Sequence, residues 1–411
     1  MNKKHILYIT YDGLTDFLGQ SQVLPYILGL EEKGYRFSIL SFEKPEKIDS
    51  NKHIIHALIA NKNIQWYPHT YHKRFSILAT LWDLHIGLRF ICKLYKKDRF
   101  DGVHCRSYIP AIMGLLSKKI YRTGFIFDMR GFWADERVDG ALWNLKNPVF
   151  YLVYKFFKWI EKKCLLHADY VVTLTNNSYE EMKTWKFVTG NIKFKIIPCC
   201  ADLNIFSRGK LVPDEIKRYA EKIQADGKTV ISYLGSIGTW YMIDEMIEFY
   251  LLFKEEFNPS VFLFITPEKE SDILTVVQQY GLTKEDIRVV RAERKEVPYY
   301  LALSNYALFF IKPTYSKKSS SPTKLAEIMA MGVPVVCNGN VGDVETQVTE
   351  SKAGIVLKTF NTDDYKETSK QLKTNLSAYY KKEHALDFVE NNFSLKNGVQ
   401  LYSEIYSELF S

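Results

Sequence analysis

Apolar residues fall into short runs separated by longer segments of helical period. Runs at 5–10, 36–41, 65–67, 102–105, 125–128, 170–174 and 194–197 are each followed by a turn signal or a helical pattern. Short runs alternating with amphipathic segments predict strands of a parallel sheet with helices on both faces. The rhythm restarts at 229–234 and continues at 261–266, 287–290, 306–311, 334–337 and 354–357. Two sheets with a seam near 198–206 account for this spacing, and 411 residues suit two domains.

Four helical stretches stand out. Residues 211–228 are charged and predict a surface helix after the seam. At the end, Val399, Tyr402, Ile405, Tyr406 and Leu409 recur at helical spacing, so 395–410 predicts an amphipathic helix. Helix 74–99 sets Leu81, Leu84, Leu88, Ile91 and Leu94 among Lys93, Lys96, Lys97 and Arg99. Helix 147–166 sets Phe150, Tyr151, Tyr154, Phe157 and Trp159 among Lys155, Lys158, Lys162 and Lys163. Apolar-aromatic faces rimmed by lysine fit either a core-facing helix with a solvated edge or a membrane-surface helix.

Charge sharpens that choice. Residues 1–200 hold 30 Lys and Arg against 18 Asp and Glu, so the first half is strongly basic inside a chain of net +8. A basic half points to an anionic partner, here an anionic bilayer or a phosphorylated lipid. No nucleic-acid-binding motif accompanies the charge, and nucleic acid is not expected. Six cysteines are scattered without a Cys-x-x-Cys pair, no apolar run spans a bilayer, and no signal peptide precedes the first strand. The expected location is cytoplasmic, peripheral on the inner face of the cell membrane.

The most informative stretch is Ser319–Glu327, which follows the 306–311 strand and opens a helix. Ser321 reads as the N-cap and Pro322 as the first helical residue, which puts Lys324 in the first turn. A cation there opposes the helix dipole by ~0.3–1 kcal/mol at a surface. An anion bound by Ser320, Ser321, Thr323 and Lys324 would reverse the sign. Glu327 lies one turn on and faces the same way as Thr323, where it could accept from ribose hydroxyls. A second loop with Ser236, Gly238 and Thr239 also leaves a strand and offers backbone amides, with Arg291 and Lys312 as further cations at strand ends. In the first half, Gly19 and Gln20 follow the first strand, His104 and Arg106 the fourth, and Asp128, Arg130, Asp135, Glu136 and Arg137 the fifth. Strand carboxyl ends are where open α/β sheets bind ligands. No Asp-x-Asp pair and no His/Cys cluster of metal spacing occurs, so no metal is expected.

These residues resemble the retaining glycosyltransferases of family 4. The resemblance rests on Tyr11-Asp12-Gly13 with Gly19-Gln20-Ser21-Gln22, on Pro198 with Asp202–Phe206, and on Ser319–Glu327 followed by Met329–Val336. It implies the GT-B fold, an α/β architecture of two Rossmann-like domains with parallel sheets facing across a cleft. The acceptor-binding domain would comprise 1–203 plus a returning helix at 395–411, and the nucleotide-sugar domain 204–394. It implies transfer of a sugar, of hexosyl type, from a nucleotide-diphosphate donor to the hydroxyl of a glycan or lipid-linked acceptor in surface polysaccharide assembly. The sugar nucleotide would be a co-substrate, with no cofactor. Of the family's two Glu separated by seven residues, Glu327 matches the ribose-contacting second, and Ser319 replaces the first. The diphosphate-gripping Arg and Lys of the second domain are absent from 236–241, which leaves Lys324, and Arg130 stands where the family has His. Lys324 would stabilise the departing diphosphate, and Arg130, Asp128, His104 and Arg106 would position sugar or acceptor. A nucleotide-sugar epimerase of the same fold and a non-catalytic sugar-nucleotide-binding protein are the alternatives.

Overall fold

The computed structural model describes residues 3–73 and 76–410. The chain divides into two compact units, one running to Pro198 and resuming at Leu395, the other Cys199–Ser394. Cys199–Phe206 belongs with the second unit because Ala201 and Phe206 are buried in its core and the Ala201 amide donates to the Phe393 carbonyl.

The first unit holds seven parallel strands: β1 His5–Thr10, β2 Arg36–Glu43, β3 Ile64–Thr70, β4 Gly102–Arg106, β5 Gly124–Asp128, β6 Tyr170–Thr173 and β7 Phe194–Ile196. Their order is β3-β2-β1-β4-β5-β6-β7, so the chain reverses direction across the sheet between β1 and β4. The second unit holds β8 Thr229–Leu234, β9 Ser260–Ile265, β10 Ile287–Val290, β11 Tyr306–Phe309, β12 Val335–Asn338 and β13 Gly354–Leu357, ordered β10-β9-β8-β11-β12-β13, with its reversal between β8 and β11. Crevices at such reversals collect ligands because neighbouring loops diverge there. All thirteen expected strands form; β1, β8, β10 and β13 run as expected, and the others differ at one or both ends by one to three residues. Each sheet is the centre of its own apolar core. Two Rossmann-like α/β domains are therefore present.

The long helices follow from local sequence. Pro148–His167 starts at Pro148 because Asn147 caps it, its Oδ1 accepting from the Val149 amide at 2.9 Å. The expected 74–99 helix is seen as Ser76–Lys97, and its first positions, including Arg74, lie outside the described residues. The 211–228 segment is helical over Pro213–Ile223. The last helix, Leu395–Phe410, packs on Leu24–Glu32 in the first unit, where glycines make room for it. A methyl group at Gly29 would meet Val399 Cγ2 at 2.7 Å. One at Gly102 would meet the Phe410 ring at 2.1 Å.

Candidate active site

At the carboxyl ends of β1, β4 and β5 the first unit buries a polar cluster. His104, Arg106 and Asp128 are all at most 4% exposed. Parallel register sets Thr10, Arg106 and Asp128 side by side across the three strands, which is why these strand-end side chains converge. Arg106 donates through Nε to Asp12 at 3.0 Å, and its Nη1 lies 3.8 Å from Asp128. Arg130 approaches the other Asp128 oxygen, also at 3.8 Å, from a left-handed backbone with φ 59°. The last helix completes the cluster: Tyr402 donates to Asp128 Oδ2 at 3.0 Å, and the Tyr406 hydroxyl lies 2.7 Å from His104 Nδ1. Burial alone would raise the Asp128 carboxyl, but the Arg130 and Arg106 guanidinium groups outweigh it and hold the group below its ordinary range. Burial pulls His104 down and prevails over Asp128, so the imidazole is neutral. The His104 Nε2 to Asp128 separation of 3.6 Å is too long for a hydrogen bond. Among the described residues, Asp128 Oδ1 and His104 Nε2 are buried without a hydrogen-bond partner.

Two of the other charges after β5, Asp135 and Arg137, have partners of their own. Asp135 accepts from Tyr154 at 2.8 Å and from Lys158 at 2.9 Å, and Arg137 stacks 4.9 Å over the Trp133 ring. Gly19 and Gln20 lie inside a short helix, Phe17–Gln22, and not on an open loop. A methyl at Gly19 would fall 2.0 Å from the Gly13 carbonyl oxygen, so this glycine lets the loop fold on itself. Gln20 Nε2 donates to the Thr15 carbonyl at 3.2 Å. Buried Glu43, which no sequence motif singles out, fixes the same loop by accepting from the Leu14 and Thr15 amides at 2.8 and 3.0 Å.

In the second unit the centre is Lys324. The helix runs Thr323–Ala330 with Pro322 as N-cap, one residue later than the sequence pattern predicts. Ser321 does not cap it. Its hydroxyl accepts from the Cys199 amide at 3.1 Å. The Ser320 amide is spent within the preceding turn on the Lys317 carbonyl, and Pro322 has no N–H, so Thr323 and Lys324 supply first-turn amides that have no backbone partner among the described residues. Lys324 is 7% exposed. Its amine sits 3.7 Å from the Tyr241 ring centre and 4.2 Å from that of Tyr233, and donates to the Tyr233 hydroxyl at 3.1 Å. Burial drives it well below the ordinary lysine range. Gly235, with φ 116°, is the glycine that matters in the adjoining loop, because a methyl there would meet the Lys324 amine at 3.0 Å. Gly238 has open space around it, and Ser236 and Thr239 are exposed.

Glu327 is buried and accepts from Arg294 at 2.9 Å. Burial raises its carboxyl despite the arginine. Arg294, four residues past β10, is the cation that reaches this buried acid, while Arg291 and Lys312 are exposed. Ser319 is 3% exposed and donates to the Ser316 carbonyl at 2.7 Å.

Two family models match the chain. Glycosyltransferase Family 4 covers residues 22–205, and Glycosyl transferases group 1 covers 215–392. The chain belongs to the family 4 glycosyltransferases. Among solved structures, sucrose-phosphate synthase from Thermosynechococcus elongatus superposes with a TM-score of 0.75 at 15% identity, covering 99% of both chains. The Anabaena protein HepE, in complex with UDP and glucose, gives 0.70 at 12% identity over 98% of this chain and 100% of its own. WaaG, a glycosyltransferase involved in lipopolysaccharide biosynthesis, gives 0.67 at 12% over 97% and 99%. A search of the curated proteins finds no match. The structural likenesses carry the fold, and the family models carry glycosyl transfer.

Proposed function

We propose that this glycosyltransferase moves a hexosyl group, with retention, from a nucleoside-diphosphate sugar to an acceptor hydroxyl in surface glycan assembly, without a metal. The observation that carries the reading is the Lys324 amine, buried at a strand end beside two first-turn amides and the Gly235 loop. As the bond between the anomeric carbon and the phosphate oxygen breaks, negative charge accumulates on the departing diphosphate. An amine and amides already aimed there stabilise that charge more than the ground state. HepE's complex with UDP and glucose supports a nucleotide-sugar donor, and WaaG's part in lipopolysaccharide biosynthesis supports a glycan product. Glu327, braced by Arg294, would receive ribose hydroxyls, and the Asp128 cluster would position sugar or acceptor. The test is a binding screen of UDP, GDP and CDP with their sugars, followed by donor turnover with and without glycan acceptors. Turnover of the sugar nucleotide to an isomer without an acceptor would favour an epimerase. Binding without any turnover would favour a non-catalytic role.

A lipid-linked acceptor is the second part of the proposal. On the Pro148–His167 helix, Leu152 is 67% and Trp159 51% exposed, and on Ser76–Lys97, Leu78 and Trp82 are 67% and 56% exposed. Lys155 and Lys163 lie over Tyr151 and Trp159 on the same exposed face. Such a face fits peripheral contact with an anionic bilayer. No helix among the described residues is long and apolar enough to cross a membrane.

A further inference from the structure

The Lys324 amine is buried among aromatic rings. Three rings enclose it, those of Tyr241, Tyr233 and, at 6.0 Å, Phe309. Its polar partner is the Tyr233 hydroxyl, whose own proton is committed to the Ser236 carbonyl at 2.6 Å. No carboxylate among the described residues comes within ion-pair distance: Glu327, three residues along the same helix, is held by Arg294 at 2.9 Å. Tyr233 is no counter-ion either, because burial pushes its phenol upward and keeps it protonated. The remaining charges around the cage are Glu268, which acts on Tyr233, and Lys317, whose amine lies 3.8 Å over the Trp240 ring beside Tyr241.

We propose that nucleoside diphosphate binding loads a proton onto Lys324, the ligand's negative charge drawing the ring-caged amine into its ammonium form. The proposal rests on the donor site proposed above. An ammonium without a counter-charge loses more on leaving water than ring faces return, which is ~0.5–2 kcal/mol for a cation–π contact. Burial accordingly sets the empty-site amine well below its ordinary range. A diphosphate delivered to Gly235 and the Thr323 and Lys324 amides supplies the missing negative charge and reverses the preference. The proton comes from solvent. The Nζ lone pair forms the new N–H bond and a buffer base is left behind.

Titration calorimetry with UDP, GDP, CDP and ADP at pH 8, where the terminal phosphate (second pKa ~6) is fully ionised, decides the matter when run in two buffers of different protonation heat. The expected result is uptake of about one proton per nucleotide bound, the lysine being neutral before binding and charged after it. Lys324→Met should bind more weakly and take up none. Lys324→Arg, charged at every accessible pH, should bind without uptake. Binding by the wild type with no buffer-dependent heat overturns the proton loading while leaving the donor site standing, and so does unchanged uptake in Lys324→Met. The wild-type experiment stands even if the variants fail to fold. If none of the four nucleotides binds, both readings fall.

Discussion

The two sheets bring charge to their carboxyl ends in opposite ways. In the first unit, Asp12, Asp128, Arg106 and Arg130 compensate one another, and two tyrosines of the last helix close the network. In the second, Lys324 has aromatic faces and a phenol, and among the described residues no carboxylate pairs with it directly, Glu327 acting on it only from farther along the helix. A buried charge that is matched internally contributes to holding its fold together. A buried base left unmatched lowers the stability of the empty fold and waits for a ligand. The contrast separates residues whose loss should first damage structure from one whose loss should first damage binding.

The largest expected effect is at Asp128. Asp128→Ala would leave Arg106 and Arg130 buried without their shared carboxylate, and breaking a buried pair in this way costs ~3–5 kcal/mol. Urea unfolding of the variant should show a loss of that size. The sign with pH follows from the depressed carboxyl. Its stabilisation is complete above the unfolded aspartate value and is lost as pH falls through the lower folded one. The gap between wild type and variant should therefore close in acid. A gap that stays constant from neutral pH into acid would mean that the cluster is not held by this charge.

Lys324 should behave in the opposite sense. Lys324→Ala should weaken nucleoside-diphosphate binding by ~1.5–3 kcal/mol, the range of a charge-assisted bond. Lys324→Met, which keeps the cage filled, should leave the empty protein as stable as wild type or more so. With the folded amine depressed, the unfolded chain binds more protons below ~10.4, so wild-type stability rises with pH through that window. The advantage of Lys324→Met should accordingly be greatest toward neutral pH and shrink in alkali. A variant that unfolds more easily yet binds nucleotide normally would reverse the comparison.

Much of this is legible in the sequence, for reasons that differ by residue. The strands are apolar on both faces, so their runs are hard to mistake. His104, Arg106, Asp128 and Arg130 stand out because a charged or polar side chain at the end of a buried strand must meet either a partner or a ligand. Tyr402 and Tyr406 show in the sequence only as the apolar stripe of a terminal helix, since nothing local says which partner a tyrosine hydroxyl will meet 274 residues away in sequence. Tyr233 is hidden inside the β8 pattern for the same reason, and with it the cage that turns Lys324 from a surface cation into a buried one. Arg294 becomes visible only on asking which cation after β10 has a buried acid to meet. Ser321 misleads because a Ser-Pro pair is a good capping signal, and its hydroxyl serves the Cys199 amide instead.

Smaller effects are expected at metals and at the exposed face. The Asp128 cluster and Lys324 both handle charge with side chains and amides, so turnover should survive EDTA. Complete loss restored by Mg²⁺ or Mn²⁺ would show that a cation supplies charge which this comparison assigns to Lys324.

On the exposed face of the Pro148–His167 helix the lysines are not equivalent. Lys158 is not part of a free basic edge. It bridges Asp135 and Glu161, the latter 1% exposed, so neutralising it would disturb the fold. Lys155 and Lys162 are exposed, and Lys163 lies over Trp159 beside them. Each contributes ~1 kcal/mol near an anionic surface, enough in combination for reversible binding that salt releases. Flotation with phosphatidylserine vesicles at low salt should therefore recover the wild type, and neutral vesicles should not. Lys155, Lys162 and Lys163 changed together to Gln should float markedly less, and Trp159→Ala should lose part of the binding even with the lysines intact, because its ring is 51% exposed and available to the headgroup layer. If the wild type ignores anionic vesicles at low salt, the face is solvated and the acceptor is soluble. If it floats equally with the triple variant, the attraction lies elsewhere on the basic first unit.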